Sequence, residues 1–306
     1  MANTKISGSW SRRDGVLKRP PLPPLEMRPS VVAVIDALGF KDVWRRVKKA
    51  EEVVDALRRA KHDALGNARL LVTNGTLEIA SFSDTIIATC QQKGDDALRD
   101  IAQNLAFVIG SMCETAATAT VPLAYRGCIA VGDLAVSDEY FVGPAIDEAS
   151  QWHEQADAAI TWVTPEASQR IGLLDEPTIY FLEWPLPLKT GGPITVMAVN
   201  PLWTESISEP AFAHEPTGVA LDGLVERLLV PLRTSTRIDV VRKLQNTQAF
   251  LRAARAHTVR LMPAEVATFD EEVREHWEAE TRAAQENGEA EMDARRRIEG
   301  ENNDGE

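Results

Sequence analysis

Two aspartates occupy positions where a metal ion could bind. Asp36 ends an apolar run, residues 31–36, that is typical of a strand buried on both faces. Asp84 follows Ser83 at the end of a second strand-like run. If these strands pair, the two carboxylates meet at one sheet edge, where they repel each other unless cations such as Mg²⁺ or Mn²⁺ lie between them. The alternative roles are a helix cap for Asp36 and a solvent-exposed turn for Asp84.

The residues that follow Asp36 suit an anion. They form a turn that leads towards a helix, and such a turn presents several backbone N–H groups to one point, as phosphate binding requires. The residues of this turn are Ala37, Leu38, Gly39 and Phe40.

A third candidate combines a buried arginine with polar residues on a helix. Arg126 lies inside an apolar strand, where a guanidinium needs a counter-charge from the protein or from a ligand. After Gly143 a helix is predicted, and Asp147 and Gln151 are four residues apart, so they share one face of it. An exposed polar helix face is the alternative interpretation.

The elements that position these residues follow in the order strand, helix, hairpin, helix, strand. Asn74-Gly75 favours a hairpin turn between strands over 70–73 and 77–82, with the second strand continuing through 85–89. Apolar spacing predicts a helix over 94–119, a strand over 123–131 and a helix over 144–155. This order resembles a split βαβ (ferredoxin-like) core of the α+β class, with an antiparallel sheet and helices on one face.

Composition divides the chain into four parts. Residues 1–29 contain a proline-rich run and are predicted to be a disordered arm. Residues 30–200 carry the candidate catalytic residues, and 201–286 show helical apolar stripes that indicate a helical extension. Residues 287–306 are predicted to be an acidic disordered tail.

Charge and hydropathy exclude several classes. The 306 residues carry a net charge of −13. The residues after position 264 include 15 acidic and 5 basic side chains and so contribute −10 of this charge. This balance argues against binding nucleic acid or anionic lipid through general electrostatics. Three scattered cysteines indicate neither a disulfide framework nor a zinc site. With no apolar run of ~18–20 residues and no signal-peptide segment, we expect a cytoplasmic protein that does not contact a membrane.

Four motifs in this order resemble the class III nucleotidyl cyclases across residues 30–200. They are Asp36-x-x-Gly-Phe, Phe-Ser-Asp84, Arg126-Gly-x-Ile-x-x-Gly and Val-Gly143-x-x-x-Asp-x-Ala. Within that superfamily the chain looks most like the bacterial pyrimidine cyclases of the Pycsar antiphage system, which make cyclic UMP or cyclic CMP.

The resemblance implies roles for individual residues. Asp36 and Asp84, with the backbone of Ala37, would hold two divalent cations, Mn²⁺ or Mg²⁺. The backbone from 37 to 40 would bind the triphosphate of UTP or CTP. Lys189 is placed like a phosphate-binding lysine, with a solvated surface lysine as the alternative. A homodimer would build each site from two subunits, so residues after about 140 would face the partner's aspartates.

The chain also departs from the purine cyclases of that superfamily. Asp147 stands where they carry a transition-state asparagine, and Gln151 stands where they carry a transition-state arginine. Arg126, Lys41 or Lys189 would substitute for that arginine, or the metals would compensate, or the chain would be an inactive cyclase-like module that binds nucleotide or dimerises.

The base-selecting positions differ as well. Ala80 and Tyr140 occupy them, so the polar pair that selects a purine is absent, which fits a pyrimidine. The cyclic product would act on a separate effector. The remaining alternative is an unrelated α+β interaction protein whose acidic tail contacts a basic partner.

Overall fold

The computed structural model describes most of the chain between residues 11 and 261. The described residues are 11–13, 16–18, 25–38, 40, 43–71, 76–93, 97–137, 140–174, 178–203, 218–233 and 237–261. The predictions for Gly39, Lys41, the parts of the helical extension at 204–217 and 262–286, and the acidic tail fall outside them. Among the described helices, none has the length and apolar character needed to cross a membrane.

The described residues form ten strands and seven α-helices. The strands are β1 (Ser11–Arg13), β2 (Val16–Lys18), β3 (Arg28–Leu38), β4 (Thr76–Phe82), β5 (Thr85–Gln91), β6 (Ala124–Val136), β7 (Phe141–Val142), β8 (Thr161–Val163), β9 (Phe181–Leu186) and β10 (Ile194–Val199). The helices are α1 (Val43–Arg46), α2 (Ala50–Leu71), α3 (Leu98–Thr118), α4 (Pro144–Trp152), α5 (Pro165–Arg170), α6 (Gly218–Leu229) and α7 (238–261), with a 3₁₀ turn at Val230–Leu232.

One large sheet organises the fold. Its strand order is β4-β5-β3-β6-β8-β10-β9, with β7 paired to β6, and every pairing except β6 with β8 is antiparallel. Strands β3, β4, β5 and β6, with the helices between them, form a split βαβ unit in which β5 lies between β3 and β4. The predicted mixed α+β class and its antiparallel core are confirmed.

Helices cover both faces of this sheet, not the one face that was predicted. Side chains of a strand alternate between the faces, so Ala33 and Ile35 of β3 pack with α2 and α3 in one cluster. Val32 and Val34 pack with α4 in another. Both faces are covered because β3 is a continuous apolar run, and a strand that is apolar on both faces needs a layer of helices on each face.

The predicted hairpin is displaced along the chain. Helix α2 continues to Leu71, so the first predicted strand begins within a helix, and the hairpin joins β4 to β5 instead. Its turn is Ser83-Asp84, where Ser83 has a φ of 56°, a left-handed conformation of the kind that tight hairpin turns require. Asp84 therefore lies in the turn itself.

The two ends of the described chain contain further structure. Within the arm predicted to be disordered, β1 and β2 pair antiparallel, and β3 begins at Arg28. In the predicted helical extension, α6 and α7 bury Leu224, Phe250 and Leu251 in the same cluster as α4. This extension is therefore packed onto α4 and the large sheet through a shared apolar core.

Candidate active site

Asp36 lies near the end of β3, between two neighbouring strands. It is in register with Thr85 of β5 on one side and with Arg126 of β6 on the other. The Thr85 hydroxyl donates to Asp36 Oδ1 over 3.4 Å, and Arg126 Nη2 lies 3.7 Å from Asp36 Oδ2. The Asp36 side chain is 16% exposed, so it is mostly buried but accessible from one side.

Asp84 lies next to Asp36 on the side of the sheet where β3 ends and β5 begins. The backbone N–H of Ala37 donates to the Asp84 carbonyl oxygen over 3.3 Å, which ties the hairpin turn to the end of β3. Burial raises the pKa of Asp36 above its ordinary value, and the charge of Asp84 raises this pKa further, while Arg126 opposes the rise. The two candidate metal aspartates are thus close enough to repel each other.

This pair of carboxylates fits a divalent cation. Carboxylate oxygens are the ligands that Mg²⁺ prefers, and a cation between them would remove the repulsion that raises the Asp36 pKa. No group of three or more His, Cys, Asp or Glu within the described residues is arranged to hold a metal. The two residues that would hold such a cation are Asp36 and Asp84.

The turn after Asp36 is only partly available for phosphate. Ala37 and Leu38 are the last residues of β3, opposite Tyr125 and Ala124, and the N–H of Ala37 is already bonded to Asp84. Phe40 makes an edge contact with the Trp44 ring, with centroids 6.2 Å apart. Backbone donors for a phosphate would therefore have to come from residues after Ala37.

A cluster of charges surrounds Arg126. Its guanidinium is 7% exposed, and Nη1 donates to the Ala156 carbonyl oxygen over 3.2 Å. Glu154 Oε2 lies 3.8 Å from Arg126 Nη2 and accepts from Lys189 Nζ over 3.3 Å. That hydrogen bond from Lys189 lowers the pKa of Glu154. Lys189 is exposed on a loop, and Glu154 links it to Arg126.

Sequence reasoning missed Glu154 and Ala156. The signal was partial: a buried Arg126 indicated that a counter-charge had to exist, but nothing indicated which residue supplied it. The packing of α4 brings Glu154 to Arg126, because α4 runs along β6 in the opposite direction and its C-terminal end therefore lies near Arg126. Gly132 lies against Ala145 at its beginning, and Cys128 Sγ lies 3.2 Å from the Ala149 carbonyl oxygen further on.

Asp147 and Gln151 lie in a separate cleft. Both are exposed on α4 and line an open cavity of about 510 Å³ together with Asp133 and Arg170. Gly132, at one end of the lining, pairs with Ser30, which is six residues and about 20 Å from Asp36 along β3. Gln151, at the other end of α4, lies three residues before Glu154, which is beside Arg126. The structure brings Asp147 and Gln151 together on one helix face, and places Asp36 and Asp84 outside the cleft that they line.

The two candidate base-selecting residues also lie on different elements. Ala80 is half-buried in β4, opposite Ile87. Tyr140 is 61% exposed in the connection before β7, and its N–H donates to the Ser137 hydroxyl over 3.0 Å. Because β7 pairs with the far end of β6 from Arg126, Tyr140 lies on the same side of the fold as Asp147.

The chain resembles solved structures of nucleotide cyclases at low identity, while no family model and no curated protein matches it. The adenylyl cyclase CyaB from P. aeruginosa is 15% identical, with a TM-score of 0.42, over 58% of this chain and 96% of that one. A dimeric guanylyl cyclase domain from the fungus Blastocladiella emersonii is 14% identical, with a TM-score of 0.42, over 56% and 94%. An adenylate/guanylate cyclase/hydrolase from Silicibacter pomeroyi is 20% identical, with a TM-score of 0.37, over 57% and 98%.

Proposed function

We propose that this chain is a nucleotidyl cyclase that converts UTP, in preference to CTP, into the 3′,5′-cyclic monophosphate and pyrophosphate. The observation that carries the proposal is the meeting of Asp36 and Asp84 at one sheet edge beside Arg126. Two carboxylates backed by a buried cation suit the handling of a metal-bound triphosphate.

The residues of the chain would act mainly by position and charge. Asp36 and Asp84 would hold two divalent cations, Mn²⁺ or Mg²⁺, with the Ala37 backbone. Bound there, the cations would acidify the ribose 3′-hydroxyl and neutralise charge on the phosphates. The 3′-oxygen forms a bond to the α-phosphorus as the bond to the β-phosphate oxygen breaks, and the hydroxyl proton passes to solvent. Arg126 and Lys189 would bind phosphate oxygens and stabilise the charge that develops on pyrophosphate.

A homodimer would complete the site. Asp147 and Gln151 line a cleft whose lining does not include Asp36 or Asp84 of their own chain, and the resemblance implies that a second copy brings them to these aspartates. Symmetric dimers in which each site uses both subunits follow directly from two-fold symmetry.

The preference for a pyrimidine rests on what Ala80 and Tyr140 lack. Ala80 offers no polar side-chain atom to a base edge, and Tyr140 offers a single hydroxyl. A site without a matched polar pair loses discrimination in favour of purines. On the resemblance, the cyclic product would act in the cytoplasm on a separate effector during antiphage defence.

A catalytically inactive cyclase-like module is the second candidate. Gln151 favours it, since glutamine brings no positive charge to the position where a purine cyclase has its transition-state arginine. Such a module would bind a nucleotide or dimerise without forming product.

Product analysis separates these two functions. The purified chain is incubated with ATP, GTP, CTP or UTP and Mn²⁺, and products are identified by mass spectrometry, with Asp36→Asn and Asp84→Asn as controls. We expect cyclic UMP or cyclic CMP that disappears in both variants. A purine product would contradict the pyrimidine assignment, and binding of nucleotide without any product would support the inactive module.

A further inference from the structure

Glu154 is a carboxylate that lies close to two cationic side chains, Lys189 and Arg126, beside the candidate active site. It follows α4 directly, and its side chain is 56% exposed. Lys189 Nζ lies 3.3 Å from Oε2, Arg126 Nη2 lies 3.8 Å from the same oxygen, and His153 Nε2 lies 3.9 Å from Oε1. The Glu154 side chain therefore lies between Lys189 and Arg126, the two cations that would bind phosphate oxygens in the proposed function.

Arg126 is incompletely satisfied by this arrangement. Its nearest carboxylate oxygens, on Asp36 and Glu154, lie at 3.7 and 3.8 Å, beyond hydrogen-bonding distance. Among the described residues, its buried Nε atom has no hydrogen-bond partner, and Nη1 donates to the Ala156 carbonyl oxygen. A buried guanidinium in this condition can accept a stronger anionic ligand, because charge-assisted bidentate contacts to phosphate are better than distant carboxylates.

We propose that Glu154 is a resident counter-anion which the triphosphate of the bound nucleotide displaces. Without nucleotide, Glu154 holds Lys189 and Arg126 close together and offsets their mutual repulsion. When a triphosphate binds, its oxygens take over these contacts and Glu154 turns outwards into solvent, where more than half of its surface already lies. This inference rests on the proposed function for the identity of the natural ligand.

The proposal and a purely structural role make opposite predictions. If Glu154 competes with phosphate, removing its charge should strengthen the binding of a triphosphate. If Glu154 merely holds Lys189 in place, removing it should weaken that binding, because Lys189 would lose its fixed position.

The test uses inorganic triphosphate, measured by titration calorimetry without divalent metal, so that no turnover is needed. Glu154→Gln is compared with the unaltered chain and with Glu183→Gln, which removes an exposed carboxylate from β9 and changes the net charge equally. We expect Glu154→Gln to bind triphosphate about three- to tenfold more tightly. We expect Glu183→Gln to bind as the unaltered chain does, Lys189→Ala to bind less tightly, and UTP to displace the probe.

Several results would overturn the inference. They are unchanged or weaker binding by Glu154→Gln, an equal gain in Glu183→Gln, or failure of UTP to compete. The assay is independent of catalysis: the expected binding pattern with no cyclic product would refute the proposed function alone. Cyclic product with unchanged binding by Glu154→Gln would refute only this inference.

Discussion

Asp36 lies where its ionised form is disfavoured. Burial and the charge of Asp84 raise its pKa, and Arg126, at 3.7 Å, opposes this without cancelling it. A raised carboxyl pKa in the folded state means that the folded chain binds a proton more tightly than the unfolded chain does. The ionised carboxylate therefore lowers stability at pH values above the raised pKa, and this cost disappears as the pH falls below the ordinary value of 3.8.

Asp36→Asn should therefore stabilise the metal-free protein at neutral pH. The amide resembles the protonated carboxyl, so urea unfolding of the variant should have a higher midpoint than that of the unaltered chain. The difference between the two urea midpoints should become smaller as the pH falls towards 3.8. Mn²⁺ should stabilise the unaltered chain and not the variant, because only the folded carboxylate pair binds it.

Asp55→Asn is the matched control for this prediction. It removes the same charge from the exposed surface of α2. A midpoint for Asp36→Asn at or below that of the unaltered chain would show that the Asp36–Arg126 pair outweighs the burial and repulsion inferred here.

The pair of aspartates could be predicted from sequence, whereas the charges behind it could not. Asp36 and Asp84 each follow a recognisable strand, and pairing of those strands places them at one edge. Glu154 lies 28 residues beyond Arg126 in the chain, and only the packing of α4 against β6 brings the two together. No local pattern encodes that packing.

At the scale of elements, the connection from Glu154 to β8 is fixed by α7. Asn246 donates to the Asp157 carbonyl oxygen over 2.9 Å, and the Ala159 N–H donates to the Thr247 hydroxyl over 2.8 Å. The buried Asp157 carboxylate pairs with Arg242 of the same helix. This connection carries both Glu154 and the Ala156 carbonyl that Arg126 contacts. By bonding to the connection, α7 therefore holds these two partners of Arg126 in position.

Thr247→Val should therefore weaken both the fold and the binding of substrate. The variant leaves the Ala159 N–H without its partner, which should cost about 1–3 kcal/mol of unfolding free energy. It should also raise the KM for the nucleotide several-fold, because the contacts of Arg126 lose their support.

Thr258→Val separates the two effects. Thr258 is also buried on α7, and its hydroxyl accepts a hydrogen bond from Asn200 over 2.8 Å, away from the 154–159 connection. Thr258→Val should lower the unfolding free energy, measured by urea unfolding, about as much as Thr247→Val does. It should leave the KM for the nucleotide unchanged. Equal changes in KM for the two variants would contradict a positioning role for α7.

The elements themselves were predictable to different degrees. The apolar run of β3 and the apolar spacing of α3 indicated their structures directly, and the first two helical stripes after 217 correspond to α6 and α7. The third stripe, within 266–277, lies outside the described residues. The hairpin was misplaced because Asn74-Gly75 is a strong turn signal, while the actual turn relies on Ser83 adopting a φ of 56°, which serine seldom does. Helix α4 was predicted, but its face of the sheet was not, since amphipathic spacing does not specify a partner.

At the scale of the whole molecule, the candidate site is divided between two regions of one chain. Asp36 and Asp84 lie at one end of β3, while the cleft of Asp147 and Gln151 includes Gly132, which pairs near the other end. In the proposed homodimer, two copies unite these halves, and the α4 of each copy faces the aspartates of the other.

Mixing two inactive variants shows whether one site uses residues of both copies. One carries Asp36→Asn, and the other carries Asp147→Ala with Gln151→Ala. Each should form no cyclic nucleotide alone. After mixing and re-equilibration, heterodimers contain one site in which both halves are intact, so cyclic product should return to about a quarter of the unaltered activity. Product from the α4 variant alone, or no recovery in a mixture shown to form heterodimers, would contradict a site shared between two copies.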